Sequence, residues 1–130
     1  MITLEILQNL SRNRLEDAKA LYEAGRYDGA FYICGYAVEL GLKKRICETL
    51  GWEGYPRVKK EFEKLSSFKT HDLDMLLHLS GVENQIKKDI FTEWSIVLSW
   101  DPEMRYSSQK QTKESTKLLL DSAETLLKKL

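Results

Sequence analysis

The sequence predicts an all-α protein, an up-and-down bundle of four main helices with one or two short additional helices. Three observations predict it. Apolar residues recur at spacings of three and four in several long segments, the period of one helix face. No segment alternates apolar and polar residues over several pairs, which argues against sheet. Only two prolines occur, Pro56 and Pro102, both placed where helices can start or break.

The first helix is expected over roughly residues 2 to 24 from its periodicity. Leu4, Leu7, Ser11, Arg14, Ala18 and Leu21 form its stripe, widened by Leu10, Leu15 and Tyr22. Gly25 should end it in a left-handed cap. The second helix is YDGAFYICGYAVELGLKKRICETL, with Asp28 as the expected cap and Gly51 as its end. From Ala30 to Leu42 nearly every residue is apolar or small, and Glu39 is the only charge. A helix that is apolar all round is surrounded on most sides, so this is the central helix. Gly35 and Gly41 each cost about 1 kcal/mol against alanine inside a helix. Close approach of neighbouring elements would offset that cost.

GWEGYP then reads as a loop, and Pro56 suits the start of a short charged helix through Leu65. SSFKT is a second loop, after which Thr70 or His71 can cap HDLDMLLHLS. Past Gly81, VENQIKKDIFTEWSIVLSW is expected as a further helix with Ile86, Ile90, Trp94 and Val97 in register. SWDPEMRYSS is an ordered turn. The last helix is expected to start near Ser107 or Ser108 and to bury Leu119, Ala123, Leu126 and Leu130, flanked by Leu120 and Leu127.

At 130 residues the chain is one domain, residues 1–130. With 42% hydrophobic and 31% charged residues it has the balance of a globular chain, not a disordered one. Twenty basic residues meet twenty acidic ones, so there is no strong nucleic-acid signature. No apolar run approaches the ~20 residues that span a bilayer. The start, MITLEILQNLSRNRLED, carries Glu5 within its apolar stretch and lacks a basic head, which argues against a signal peptide. Two cysteines, Cys34 and Cys47, are too few for a disulfide framework. They suit buried thiols in a reducing compartment, so the expected location is cytoplasmic.

Three constellations could carry chemistry. Glu39 precedes Lys43 by one helical turn, an order that favours an ion pair. Alternatively, Glu39 is a buried carboxylate that fixes Arg105, because a buried charge needs a counter-charge. His71-Asp72-Leu73 reads first as a helix start. His71 and His78 lie seven apart without further ligands, so no metal site and no cofactor are expected. Trp100-Asp101-Pro102-Glu103-Met104-Arg105-Tyr106 brackets a carboxylate pair and an arginine with two aromatics. That set can wall a cleft for phosphate and a base, or can simply plug the bundle with Trp100 and Tyr106. The basic runs, Lys43-Lys44-Arg45 among them, have acids close by and read as solvated faces. No phosphate-binding glycine loop, zinc motif or nucleophile elbow occurs, so no catalytic residue is assigned.

Read in order, Gly25-Arg26-Tyr27-Asp28-Gly29-Ala30, Ala37-Val38-Glu39-Leu40, Leu42-Lys43, His71-Asp72-Leu73 and Arg105-Tyr106 resemble the HEPN domain family across nearly the whole chain. The resemblance implies an all-α bundle, often a homodimer, commonly encoded beside a minimal nucleotidyltransferase in toxin–antitoxin-like pairs. Some members are metal-independent ribonucleases that use an arginine followed after four to six residues by a histidine. This chain departs from that pattern. Lys110, Gln111 and Thr112 stand at the matching positions after Arg105, and neither Arg12 nor Arg14 has a histidine at that spacing. An arginine alone can stabilise a phosphorane but cannot shuttle protons near neutrality. His71 could substitute only if folding brings it beside Arg105. ALYEAGRYDGAFYICGYAVE is also similar to one tetratricopeptide repeat, but no second copy follows at the ~34-residue period such arrays need.

The expected function is therefore binding of a nucleotide or other phosphorylated ligand, or of a nucleotidyltransferase partner. Arg105 would contact phosphate and Glu39 would hold Arg105. Tyr106 and Trp100 would shape the wall, with His71 and Lys43 as secondary candidates. A toxin-type ribonuclease and a purely structural interaction module are the alternatives.

Overall fold

The computed structural model describes residues 1–106 and 110–130. Among the described residues three long helices dominate: α1 (Leu4–Glu23), α2 (Tyr27–Leu50) and α6 (Lys113–Lys129). Three one-to-two-turn helices lie between the second and the last, α3 (Leu73–Leu79), α4 (Glu83–Asp89) and α5 (Phe91–Val97). Helix α2 is the centre, packed by α1, α3 and α6, and α5 closes the bundle against α6. Its buried residues run from Ala30 to Cys47 with no single inner face, as its composition requires.

Helix α1 starts two residues inside the expected boundary because Thr3 caps it, its hydroxyl accepting from the Ile6 N–H at 3.3 Å. Ile2–Thr3 instead forms a two-residue strand, β1, antiparallel to β2 (Gly54–Tyr55). Two residues are too short for alternation to register in the sequence. Gly25 and Gly51 take left-handed conformations at the ends of α1 and α2, φ 75° and 68°.

Four expectations change. Asp28 does not cap α2. Arg26 is the N-cap and makes no side-chain bond. The Asp28 carboxylate instead accepts from the Gln111 N–H at 2.6 Å, tying the approach to α6 onto α2. The segment after Pro56 forms two 3₁₀ turns, Lys59–Phe62 and Ser66–Phe68, in place of one short helix through Leu65. Asp72, not Thr70 or His71, caps α3, its carboxylate accepting from the Asp74 and Met75 N–H groups. The expected single helix after Gly81 is broken at Ile90 (φ −137°, ψ 49°) into α4 and α5. Ile86, Ile90, Trp94 and Val97 are all buried nonetheless. Both fragments keep their apolar positions inward, so the periodic stripe carries no trace of the break.

The expected start of the last helix at Ser107 or Ser108 lies outside the described residues. Helix α6 begins at Lys113 with Thr112 as cap, its hydroxyl accepting from the Ser115 N–H at 3.0 Å. Leu119, Leu120, Ala123 and Leu126 are buried along it, while Leu127 and Leu130 are only partly covered. Cys34 and Cys47 are free, buried thiols.

Candidate functional site

The site is built on one stripe of α2. Tyr32, Tyr36, Glu39 and Lys43 follow at spacings of four, three and four, so they rise along a single face. Tyr32 and Tyr36 join hydroxyl to hydroxyl at 3.1 Å, and their rings meet edge to face. Burial and the neighbouring Tyr32 push the Tyr36 phenol up to about 12.

The turn after α5 is pinned over the middle of this stripe. Pro102–Tyr106 forms a 3₁₀ helix, and Trp100 before it is buried. The Trp100 indole N–H donates to the Tyr32 carbonyl at 2.9 Å. Its ring meets Tyr36 edge to face, with centroids 5.1 Å apart. Trp100 therefore plugs the bundle, but its presumed counterpart does not. Tyr106 is 73% exposed and lies outside the core.

Glu39 sits at the far end, 4% exposed. One of its oxygens accepts from the Lys43 ammonium at 3.0 Å, and the other faces His71 Nδ1 at 3.0 Å. The ion pair with Lys43 is as the helical spacing predicts. The second partner is His71, which corrects the expectation that Glu39 holds Arg105. The reason is axial: Arg105 stands beside Tyr32, seven residues or roughly 10 Å of helix away from Glu39. Lys43 also lies over the Tyr55 ring, 5.2 Å from its centroid. The basic run divides here, because Lys44 turns away to pair with Glu48 at 2.8 Å, and Arg45 reaches the same carboxylate at 3.7 Å.

Arg105 is exposed and makes no ion pair among the described residues. Its guanidinium lies 4.7 Å from the centre of the Tyr106 ring. The Tyr32 hydroxyl and then Tyr106 hold its pKa up. It lines a groove of about 340 Å³ with Tyr32, Phe31, Met104 and Asp28. His71 and Trp100 line a different groove of about 290 Å³, walled by Leu98 and Pro102. The segment from Trp100 to Met104 is the ridge between them. So the six candidates fall into two groups: His71, Glu39 and Lys43 meet at one end, and Arg105 and Tyr106 stand at the other, with Trp100 between.

A family model described as the HEPN domain matches residues 5–130. The chain belongs to the HEPN domain family. No curated protein and no solved structure matches it. Within this HEPN chain, His78 does not join His71: it faces Glu83 at 3.3 Å. Among the described residues no three carboxylate, imidazole or thiol side chains gather where they could hold a metal ion, and no helix is long and apolar enough to cross a membrane. Tyr32 and Tyr36 are the site residues that sequence reasoning missed. Their signal was present in the spacing to Glu39 and Lys43, but aromatic residues in so apolar a helix read as core.

Proposed function

We propose that this HEPN domain binds a nucleotide or another phosphorylated ligand in the Arg105 groove, without catalysis of its own. The observation that supports it is an exposed guanidinium with no carboxylate partner among the described residues, set between the Tyr32 hydroxyl and the Tyr106 ring. A guanidinium fork matches phosphate oxygens. The exposed Tyr106 ring offers a face on which a base can stack. Asp28 lies in the same groove, but its carboxylate is engaged by the Gln111 N–H.

A ribonuclease reading has less support. Among the described residues the histidine that could carry a proton is His71, and it lines the other groove, with Trp100 and Pro102. In the binding reading the protein works in the cytoplasm as a homodimer, and a minimal nucleotidyltransferase is the partner that would share or supply the ligand. The test is thermal unfolding against a nucleotide panel, first without metal and then with Mg²⁺. A stabilising shift with one nucleotide that vanishes in Arg105→Ala supports the site. No shift with any nucleotide overturns it and moves the reading to a structural partner module.

A further inference from the structure

The Arg105 groove continues past Asp28 into a neighbouring groove of about 460 Å³, and the two share Asp28, Gly29 and Gln111 as a common wall. The charges along them alternate. Arg105 stands at one end, and Arg26 and Lys110 line the other. Arg26 and Lys110 are exposed and, like Arg105, make no ion pair among the described residues. Arg26 caps the start of α2 and Arg105 stands beside Tyr32, six residues or about 9 Å of helix rise further on. Between them lies Asp28, the one acidic side chain on either wall among the described residues. Its Oδ1 accepts from the Gln111 N–H, and its Oδ2 has no hydrogen bond among the described residues.

Gly29, on the shared wall, is not a glycine for the sake of packing. A Cβ placed on it would meet only the Leu21 methyl groups, at 3.6 and 3.8 Å, which is ordinary contact. Gly35 and Gly41 differ, since a Cβ there would overlap Trp100 or Leu127. Nor does Gly29 take the left-handed backbone that Gly25 and Gly51 take. Glycine is a poor helix former, so the missing side chain answers to something outside the fold. It leaves the floor between the two cationic ends open.

We propose that the joined grooves take a nucleotide phosphorylated at both the 3′ and the 5′ position of its ribose. This rests on the reading of Arg105 as a phosphate contact. One phosphate would sit on Arg105 and the other on Arg26 and Lys110, with the ribose over Gly29. The free oxygen of Asp28 would accept from the 2′-hydroxyl, so a carboxylate that repels phosphate serves to read the sugar. A pyrophosphate carries both phosphorus atoms on one bridging oxygen and brings them to the same end of the groove. A ribose holds its 3′ and 5′ phosphates apart, with a hydroxyl close by. A wall that runs positive, negative, positive is complementary to the ribose arrangement and not to the pyrophosphate.

The test is calorimetric titration of the full chain without Mg²⁺, using adenosine 3′,5′-bisphosphate, its 2′-deoxy form, ADP and ATP, and then the guanosine set. ADP matches the number of phosphates and ATP matches the charge. The 3′,5′-bisphosphate should bind at least tenfold more tightly than either, and Arg26→Ala should remove that preference. Asp28→Asn keeps the acceptor for Gln111 and puts an amide donor where the free oxygen was. The advantage of the ribose form over the 2′-deoxy form should vanish in it. Gly29→Ala should weaken the bisphosphate several-fold without lowering the unfolding midpoint. ADP or ATP binding as tightly as the bisphosphate, with Arg105→Ala still abolishing it, overturns this proposal and leaves the Arg105 site standing. Binding of no nucleotide overturns both. A lower midpoint in Gly29→Ala with binding intact overturns the open floor, because the glycine then serves the fold.

Discussion

The indole of Trp100 occupies the space that a side chain at Gly35 would need. A Cβ placed on Gly35 would fall 1.9 Å from the Trp100 ring, far inside contact distance. The glycine is therefore the seat that lets the turn before Pro102 lie flat on α2, and it fixes the ridge between the two grooves. The Trp100 indole N–H bond to the Tyr32 carbonyl locks the same contact.

Gly35→Ala should unseat Trp100 despite the better helix propensity of alanine. Overpacking of this kind costs about 1–3 kcal/mol, and a contact this short belongs at or above the upper end. Gly41→Ala should be milder, because the atom in its way is the end of the flexible Leu127 side chain. Denaturant midpoints of the two variants, with tryptophan fluorescence for the first, check the difference. Equal destabilisation would contradict the seating role.

Lys43→Met should be costly. It leaves the buried Glu39 carboxylate facing His71 alone, and breaking a buried pair from one side costs about 3–5 kcal/mol. The Lys43 side chain retains 13% exposure, which puts the expectation at the lower end of that range. Replacing both partners, Glu39→Leu with Lys43→Met, should recover much of the loss. A double variant no more stable than the single one would show that Glu39 is held mainly by other contacts.

A nucleotide present at about 100 times its dissociation constant should stabilise the domain by roughly 2.7 kcal/mol. For a chain of this length that raises the midpoint by several degrees. Arg105→Ala should abolish the shift, and Arg105→Lys should retain only part of it, since lysine keeps the charge without the planar fork. A full shift in Arg105→Ala would place the ligand elsewhere.

Alkaline pH should weaken the fold through its buried thiols. Burial pushes Cys34 from the ordinary 9.0 to about 12, and Cys47 to about 11. The folded state holds these protons more tightly than the unfolded chain does. Their contribution is thus fully present below pH 9 and is lost as pH rises through 11 to 12. Unfolding midpoints should fall steadily above pH 9, and a disulfide reagent should leave Cys34 unmodified until the chain unfolds. Rapid modification of Cys34 in the native state at pH 8 would show that it is not sealed in the core.

The sequence alone determined the three long helices and their centre. The stripe of α1, the all-round apolar run of α2 and the leucines of α6 each report burial at a fixed period, and burial is what drives a helix into a bundle. It also determined the Glu39–Lys43 pair, because residues one turn apart on a helix meet whatever surrounds them. The ordered short motifs were enough for the family. The break at Ile90 was invisible because both fragments bury the same positions that a single helix would. The site was decided by tertiary structure. Whether Glu39 met Arg105 or His71 depended on where the turn after α5 crosses α2, and Trp100 on Gly35 settles that crossing. It puts Arg105 beside Tyr32 and leaves Glu39 to His71. Long-range pairing of this kind depends on how elements pack together, and no local pattern in either segment records it.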